Sequence, residues 1–195
     1  MKALFNIKLI FFLLLIAIGA SITTALFIPI HSTTVYFVYD CLLQALSIYF
    51  MVMIFYYVNT IKGVKISKLA IGAIVLVILY TWINYYMSKL EEYGPQSNGD
   101  LLLETIIQGI SILAHIIIAI QLIKNESVDS SNLYLKIIGY SYCVMYLLRF
   151  TMSIFLIQNE FVSMYFDKIF TILSTLPYCA MALFYYHESI VKDKE

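Results

Sequence analysis

"LLLETIIQGISILAHIIIAIQLI", residues 101–123, is the stretch from which the fold class follows. A helix that crosses the hydrocarbon of a bilayer needs about 20 mostly apolar residues. This run meets that length with a single charge, Glu104, near its start. Four of its polar residues share a pattern: Glu104, Gln108, Ser111 and His115 fall at offsets 0, 4, 7 and 11. At about 100° per residue those positions share a stripe roughly 60° wide. Polar groups facing lipid are costly, so such a stripe should turn inward, against other helices or a wet cavity.

The rest of the chain repeats the pattern. Of its 195 residues 62% are hydrophobic and 12% charged, with a mean hydropathy of +0.89. A soluble domain carries about 25% charged and about 45–50% apolar residues, so the solvent here is expected to be largely lipid. Six apolar runs stand out, at about 4–28, 35–59, 67–89, 101–123, 133–157 and 161–187. The breaks between them hold Gly63, Gly94, Pro95 and Gly99, where helices stop. The fold class expected is an all-α integral membrane protein, residues 1–195 forming one domain of six transmembrane helices. Alternating strands of a membrane barrel do not fit these runs.

Lysines set the orientation. With the N-terminus in the cytoplasm, Lys2, Lys8, Lys62, Lys65, Lys68, Lys124, Lys136, Lys192 and Lys194 lie on that side, against Lys89 and Lys168 on the other. That is the positive-inside bias of a cell (inner) membrane protein with both termini cytoplasmic. A cleaved signal peptide at the start would leave five spans; the apolar run is long for one, and the first span is read as retained. The "FYY" clusters at 55–57 and 184–186 read as interfacial anchors, together with Tyr85, Tyr86 and Tyr93.

"DCLLQALS" at 40–47, "ETIIQGIS" at 104–111 and "DKIFTILS" at 167–174 echo one another at intervals of 64 and 63 residues. Two spans fall in each interval, so the spans would form three helical hairpins as parallel repeats about the membrane normal. Span 2 then offers Asp40, Gln44 and Ser47, and span 6 offers Asp167, Thr171, Ser174 and Tyr178. The three acids enter within about 10 Å of the outer face, where a helix dipole alone would also favour them. Arg149, the only arginine, lies within span 5 with Tyr142, Tyr146 and Ser153 on its stripe, and those acids are its candidate partners. Pro177 is expected to kink span 6. The ligand-binding set is therefore Asp40, Gln44, Ser47, Glu104, Gln108, Ser111, His115, Arg149 and Asp167.

Other chemistry is not signalled. Cys41, Cys143 and Cys179 are far apart within apolar runs, which argues against a disulfide framework or thiolate metal site. His115 has no second histidine at ligand spacing, since His31 and His187 fall at opposite faces. No catalytic template, metal or cofactor motif is present, and the zero net charge gives no reason to expect nucleic acid.

Three parallel hairpins resemble the mitochondrial carrier plan in architecture, but the repeated proline–acid–base signature of those carriers is absent: Pro177 is followed by "YCAM". Six short spans with an outward polar pocket also resemble the substrate-binding subunits of energy-coupling-factor vitamin transporters. Their small-residue helix motif has only a poor counterpart, "AIGAS" in span 1. Resemblance at this level implies architecture and not activity. The function expected first is an outward-facing polar pocket that binds or passes a small polar or cationic solute. The alternative is a membrane interaction protein, as a complex subunit, sensor input or immunity-type protein with a partner membrane protein. A third reading is an intramembrane lipid-modifying enzyme, with Glu104 or His115 as acid or base.

Overall fold

The computed structural model describes residues 6–27, 33–90, 98–126, 131–156, 169 and 171–192. Over these it is all-helical, without strands: α1 (Ile7–Phe27), α2 (Thr33–Tyr56), a π-turn (Tyr57–Ile61), α3 (Lys68–Leu90), α4 (Asn98–Ile123), α5 (Asn132–Leu156) and α6 (Leu176–Lys192). Each helix packs on its chain neighbours and α1 packs on α6, so the six close into a ring. The Phe11 and Tyr186 rings, with centroids 5.7 Å apart, join the start of α1 to the end of α6.

Local chemistry accounts for the helix ends. Asn6 caps α1, its Oδ1 accepting from the amides of Lys8 and Leu9 at 3.1 and 3.4 Å. Ser67 caps α3 by accepting from the Ala70 amide at 3.3 Å, and its own amide donates to Gln121 Oε1 of α4 at 2.9 Å. The α2–α3 connection is tightly tied. Asn59 takes the Ile66 amide on Oδ1 at 2.8 Å and donates Nδ2 to the Ile66 carbonyl at 3.4 Å. Gly63, at φ +69°, supplies the left-handed residue that lets Val64 N reach back to the Val58 carbonyl at 3.0 Å. Pro177 removes the amide that would bond the Leu173 carbonyl, and the helical turn 171–174 is separated from α6 at Thr175.

The core runs through the middle of the ring. Leu14, Val58, Ile74, Ala119, Ile138 and Phe184 are fully buried, each from a different element or face. α4 and α5 approach closely at Gly139, where an added Cβ would lie 2.8 Å from the Ala119 carbonyl oxygen and 2.8 Å from Ile123 Cγ1. Outward faces are apolar too: Phe12, Leu69, Leu76, Leu113, Leu147 and Phe150 are all exposed. Wherever side chains are described, the charged ones (Lys8, Lys62, Lys65, Lys68, Lys124, Glu126, Lys136 and Glu188) gather at the α2–α3 end of the ring, none on the helix bodies beyond it.

One described helical stretch, Thr105–Ile123, is long and apolar enough to cross a membrane, with a mean hydropathy of 2.2. The apolar stretches Ile7–Thr23, Ala45–Thr60 and Lys68–Thr81 are shorter within the described residues. The bounds of α1 to α5 follow the expected runs to within a few residues; the start expected for the sixth run at 161 lies outside the described residues, and its end differs. There α6 continues to Lys192, five residues beyond the end expected at 187.

Candidate functional site

Among the described residues, two polar assemblies lie inside the ring. The deeper one contains part of the expected stripe. Ser47 on α2 accepts a hydrogen bond from Tyr178 OH on α6 at 2.9 Å. On α4, His115 Nδ1 donates to the Ser111 carbonyl at 2.8 Å, with Ser111 Oγ 3.5 Å away. A carbonyl only accepts, so Nδ1 carries the proton and Nε2 of the neutral ring is left as an acceptor. The imidazole sits beside the rings of Tyr142 and Tyr146 on α5, at 5.2 and 5.5 Å. Tyr142 OH in turn points at Met51 Sδ on α2, 3.7 Å away. Side chains from α2, α4, α5 and α6 thus form one polar and aromatic belt across the ring.

Not all of the expected ligand set is in it. Ser47, Ser111 and His115 are half-buried members, while Gln108 is exposed. The side chains of Asp40, Gln44, Glu104 and Arg149, and all of Asp167, lie outside the described residues. The outer acidic layer and the Arg149 pairing fall there with them. The three repeat-equivalent serines have different surroundings: Ser47 bonds Tyr178, Ser111 lies against His115, and Ser174 donates to its own helix at the Thr171 carbonyl, 2.7 Å away.

The second assembly sits at the opposite end from that expected layer and was missed in the sequence. Glu188 on α6 is buried, with 4% of its side chain exposed. Its Oε2 accepts a hydrogen bond from Tyr57 OH. Lys62 Nζ stands 3.0 Å from Oε1, at ion-pair distance but off the hydrogen-bonding direction. His187 Nδ1 is 3.9 Å from the same oxygen, and its ring stacks on Tyr134 of α5 at 4.5 Å. Removing one partner of such a buried pair costs about 3–5 kcal/mol, because the other charge is left without compensation.

The π-turn explains why Tyr57 and Lys62 meet one carboxylate. Residues five apart on an α-helix diverge by about 140°. Here the Lys62 amide bonds the Tyr57 carbonyl, five residues back, at 3.2 Å, which brings the two nearly into line. Turns of this kind recur at functional sites. The "FYY" clusters expected as interfacial anchors serve this site instead. Only Tyr56 and Tyr186 face outward; Phe55, Tyr57, Phe184 and Tyr185 are buried, with Tyr57 edge-on to Phe184 and Tyr185 at 5.7 and 5.9 Å. The sequence did carry a signal: Pro177, Met181, Phe184 and Glu188 fall at offsets 0, 4, 7 and 11, and all four are buried. A charge on a buried stripe needs a partner. Read simply as the polar end of the span, it did not stand out.

Comparison with family models, with curated proteins and with solved structures returns no match. Function therefore rests on chemistry alone. Among the described residues no cluster of three metal-ligating side chains occurs. A cavity of about 10 Å³ opens between Met51, Val58, Ile66, Ile118, Leu122 and Met181. It is at the lower limit for one water and its lining is almost wholly apolar, so it is a packing void and not a solute pocket.

Proposed function

We propose that this chain is an integral membrane protein of the cell membrane, with six spans and cytoplasmic termini, that binds or passes a small polar or cationic solute. The membrane reading is supported by apolar outward faces and by charged side chains gathered at one end of the ring. Lysines dominate that end, in keeping with a cytoplasmic location. The solute reading is carried by one observation: His115, lodged between Tyr142 and Tyr146, lies in a belt continuous with the Ser47–Tyr178 bond. Hydroxyls, an open imidazole acceptor and tyrosine faces together suit a small polar molecule or a cation. Asp40, Glu104 and Asp167 would supply negative charge above the belt, with Gln44 and Gln108 as neutral hydrogen-bonding groups and Arg149 as a fixed counter-charge.

The test uses purified protein and a panel of potassium, methylammonium, choline and betaine. A saturable rise in melting temperature is expected with at least one of them, weakened tenfold or more by His115→Ala or by Asp40→Asn, Glu104→Gln and Asp167→Asn together. Binding and transport indifferent to all of these replacements would refute the solute reading. A second reading, a membrane interaction protein, is favoured by the dry, close-packed cavity region and the largely apolar outer faces. Co-purification with another membrane chain in fixed stoichiometry, without response to the solute panel, would establish it instead.

A further inference from the structure

Three buried side-chain polar atoms lack a hydrogen-bond partner among the described residues: Tyr185 OH, His187 Nδ1 and Glu188 Oε1. All three belong to one turn of α6. Buried polar groups are almost always satisfied, so each exception needs an explanation: Oε1 meets the Lys62 ammonium at 3.0 Å but off the hydrogen-bonding direction, and the Tyr185 phenol has no hydrogen-bond partner among the described residues. Tyr185 itself is only 1% exposed, and it lies within electrostatic reach of Glu188, Tyr57 and Tyr49. A better-aligned partner for Oε1 has to donate to a carboxylate oxygen, with the His187 imidazole nitrogen 3.9 Å from that same oxygen. It has to be cationic or neutral, because the carboxylate repels anions. The surroundings are aromatic: Tyr57, Phe184 and Tyr185 meet edge to face around the acid. A carboxylate set among aromatic rings is the chemistry that holds an ammonium group.

The present cation is the chain's own. Lys62 reaches the site on a flexible four-carbon stem, its side chain 18% exposed, and it meets Oε1 without an aligned hydrogen bond. It leaves the π-turn directly before Gly63, and Gly63 and Lys65 beside it are exposed. Water is therefore within reach of the ammonium if it swings away. We infer that Glu188, Tyr57 and Tyr185 form a binding site for a small primary ammonium group, at which Lys62 is a tethered and displaceable occupant. This deepens the solute reading by naming the solute's chemical class and a site at the α2–α3 end, distinct from the His115 belt.

The probe is methylammonium chloride against sodium chloride at equal ionic strength, with binding read by calorimetry and melting temperature. Wild type is expected to bind methylammonium saturably. Lys62→Ala, which removes the competitor, should bind it at least tenfold more tightly and recover melting temperature as it does so. Glu188→Gln should abolish binding in either background. Tyr185→Phe deletes a hydroxyl with no hydrogen bond to lose, so it should weaken binding several-fold while leaving the protein folded and no less stable. Recovery of Lys62→Ala without saturable binding to wild type would overturn the inference, leaving Glu188–Lys62 a structural pair that a small amine merely patches. Equal binding by Glu188→Gln and wild type would overturn it as well. Failure of the broader solute reading is told apart by His115→Ala: loss of every solute response except that to methylammonium would leave the Glu188 site standing alone.

Discussion

Tyr57 and Glu188 are bonded across the ring at a separation of 131 residues, and Ser47 and Tyr178 are bonded at the same separation of 131. A constant difference is the mark of parallel helices in register, since antiparallel partners keep a constant sum. α2 and α6 therefore run the same way, on either side of α1, and are cross-linked at two levels about 15 Å apart. The repeat "DCLLQALS"/"DKIFTILS" aligns Ser47 with Ser174, but the structure pairs Ser47 with Tyr178, four residues and about one helical turn further on. Sequence echo and height along the ring are different registers.

The lower of these cross-links is the stronger. Tyr57→Phe keeps the ring and its edge contacts with Phe184 and Tyr185 and removes only the bond to Glu188 Oε2. Hydrogen bonds to charged groups are worth about 1.5–3 kcal/mol. A loss of stability of about 2 kcal/mol is expected in equilibrium unfolding. An unchanged unfolding midpoint would show that Glu188 does not depend on the phenol.

The upper cross-link joins two neutral hydroxyls. Ser47→Ala and Tyr178→Phe, combined in a double-mutant cycle, should show a coupling of about 0.5–1.5 kcal/mol, the net worth of a typical hydrogen bond. A coupling near zero would mean that the Ser47–Tyr178 contact holds nothing together.

Much of the fold was legible in the sequence, because apolar length and polar breaks are local properties. α3 and α5 match their expected runs almost residue for residue. The inward turn of the stripe was legible in the same way at Ser111 and His115, where a 3.6-residue period does the work. The Glu188 site was not, for a physical reason. Its counter-charge, Lys62, is remote in the chain, and the π-turn that aims Lys62 and Tyr57 together changes the local period from the one used to read the helix. A hydropathy window sees His187 and Glu188 as the polar end of a span. Only the third dimension shows that the end is buried.

Gly139 and Gly72 make a matched pair of helical glycines. At Gly139 a methyl group would press on the Ala119 carbonyl, which is backbone and cannot rotate away, whereas at Gly72 nothing lies within 4 Å. Overpacking of a close helix contact costs about 1–3 kcal/mol, and Gly→Ala in an unobstructed helix gains up to about 1 kcal/mol. Gly139→Ala should therefore lower the melting temperature and Gly72→Ala should hold or raise it. Equal effects in both would show that α4 and α5 do not approach as closely as Gly139 implies.

Gly63 sets the geometry through which Lys62 reaches Glu188. At φ +69° any L side chain is strained by about 1–2 kcal/mol, yet the space around it is open. Gly63→Ala thus penalises only the backbone conformation. If that turn positions the lysine, the substitution should destabilise the wild type by about 1 kcal/mol but cost less in a Lys62→Ala background, where the ion pair no longer has to be held. Equal penalties in the two backgrounds would separate the Gly63 turn from the site it adjoins.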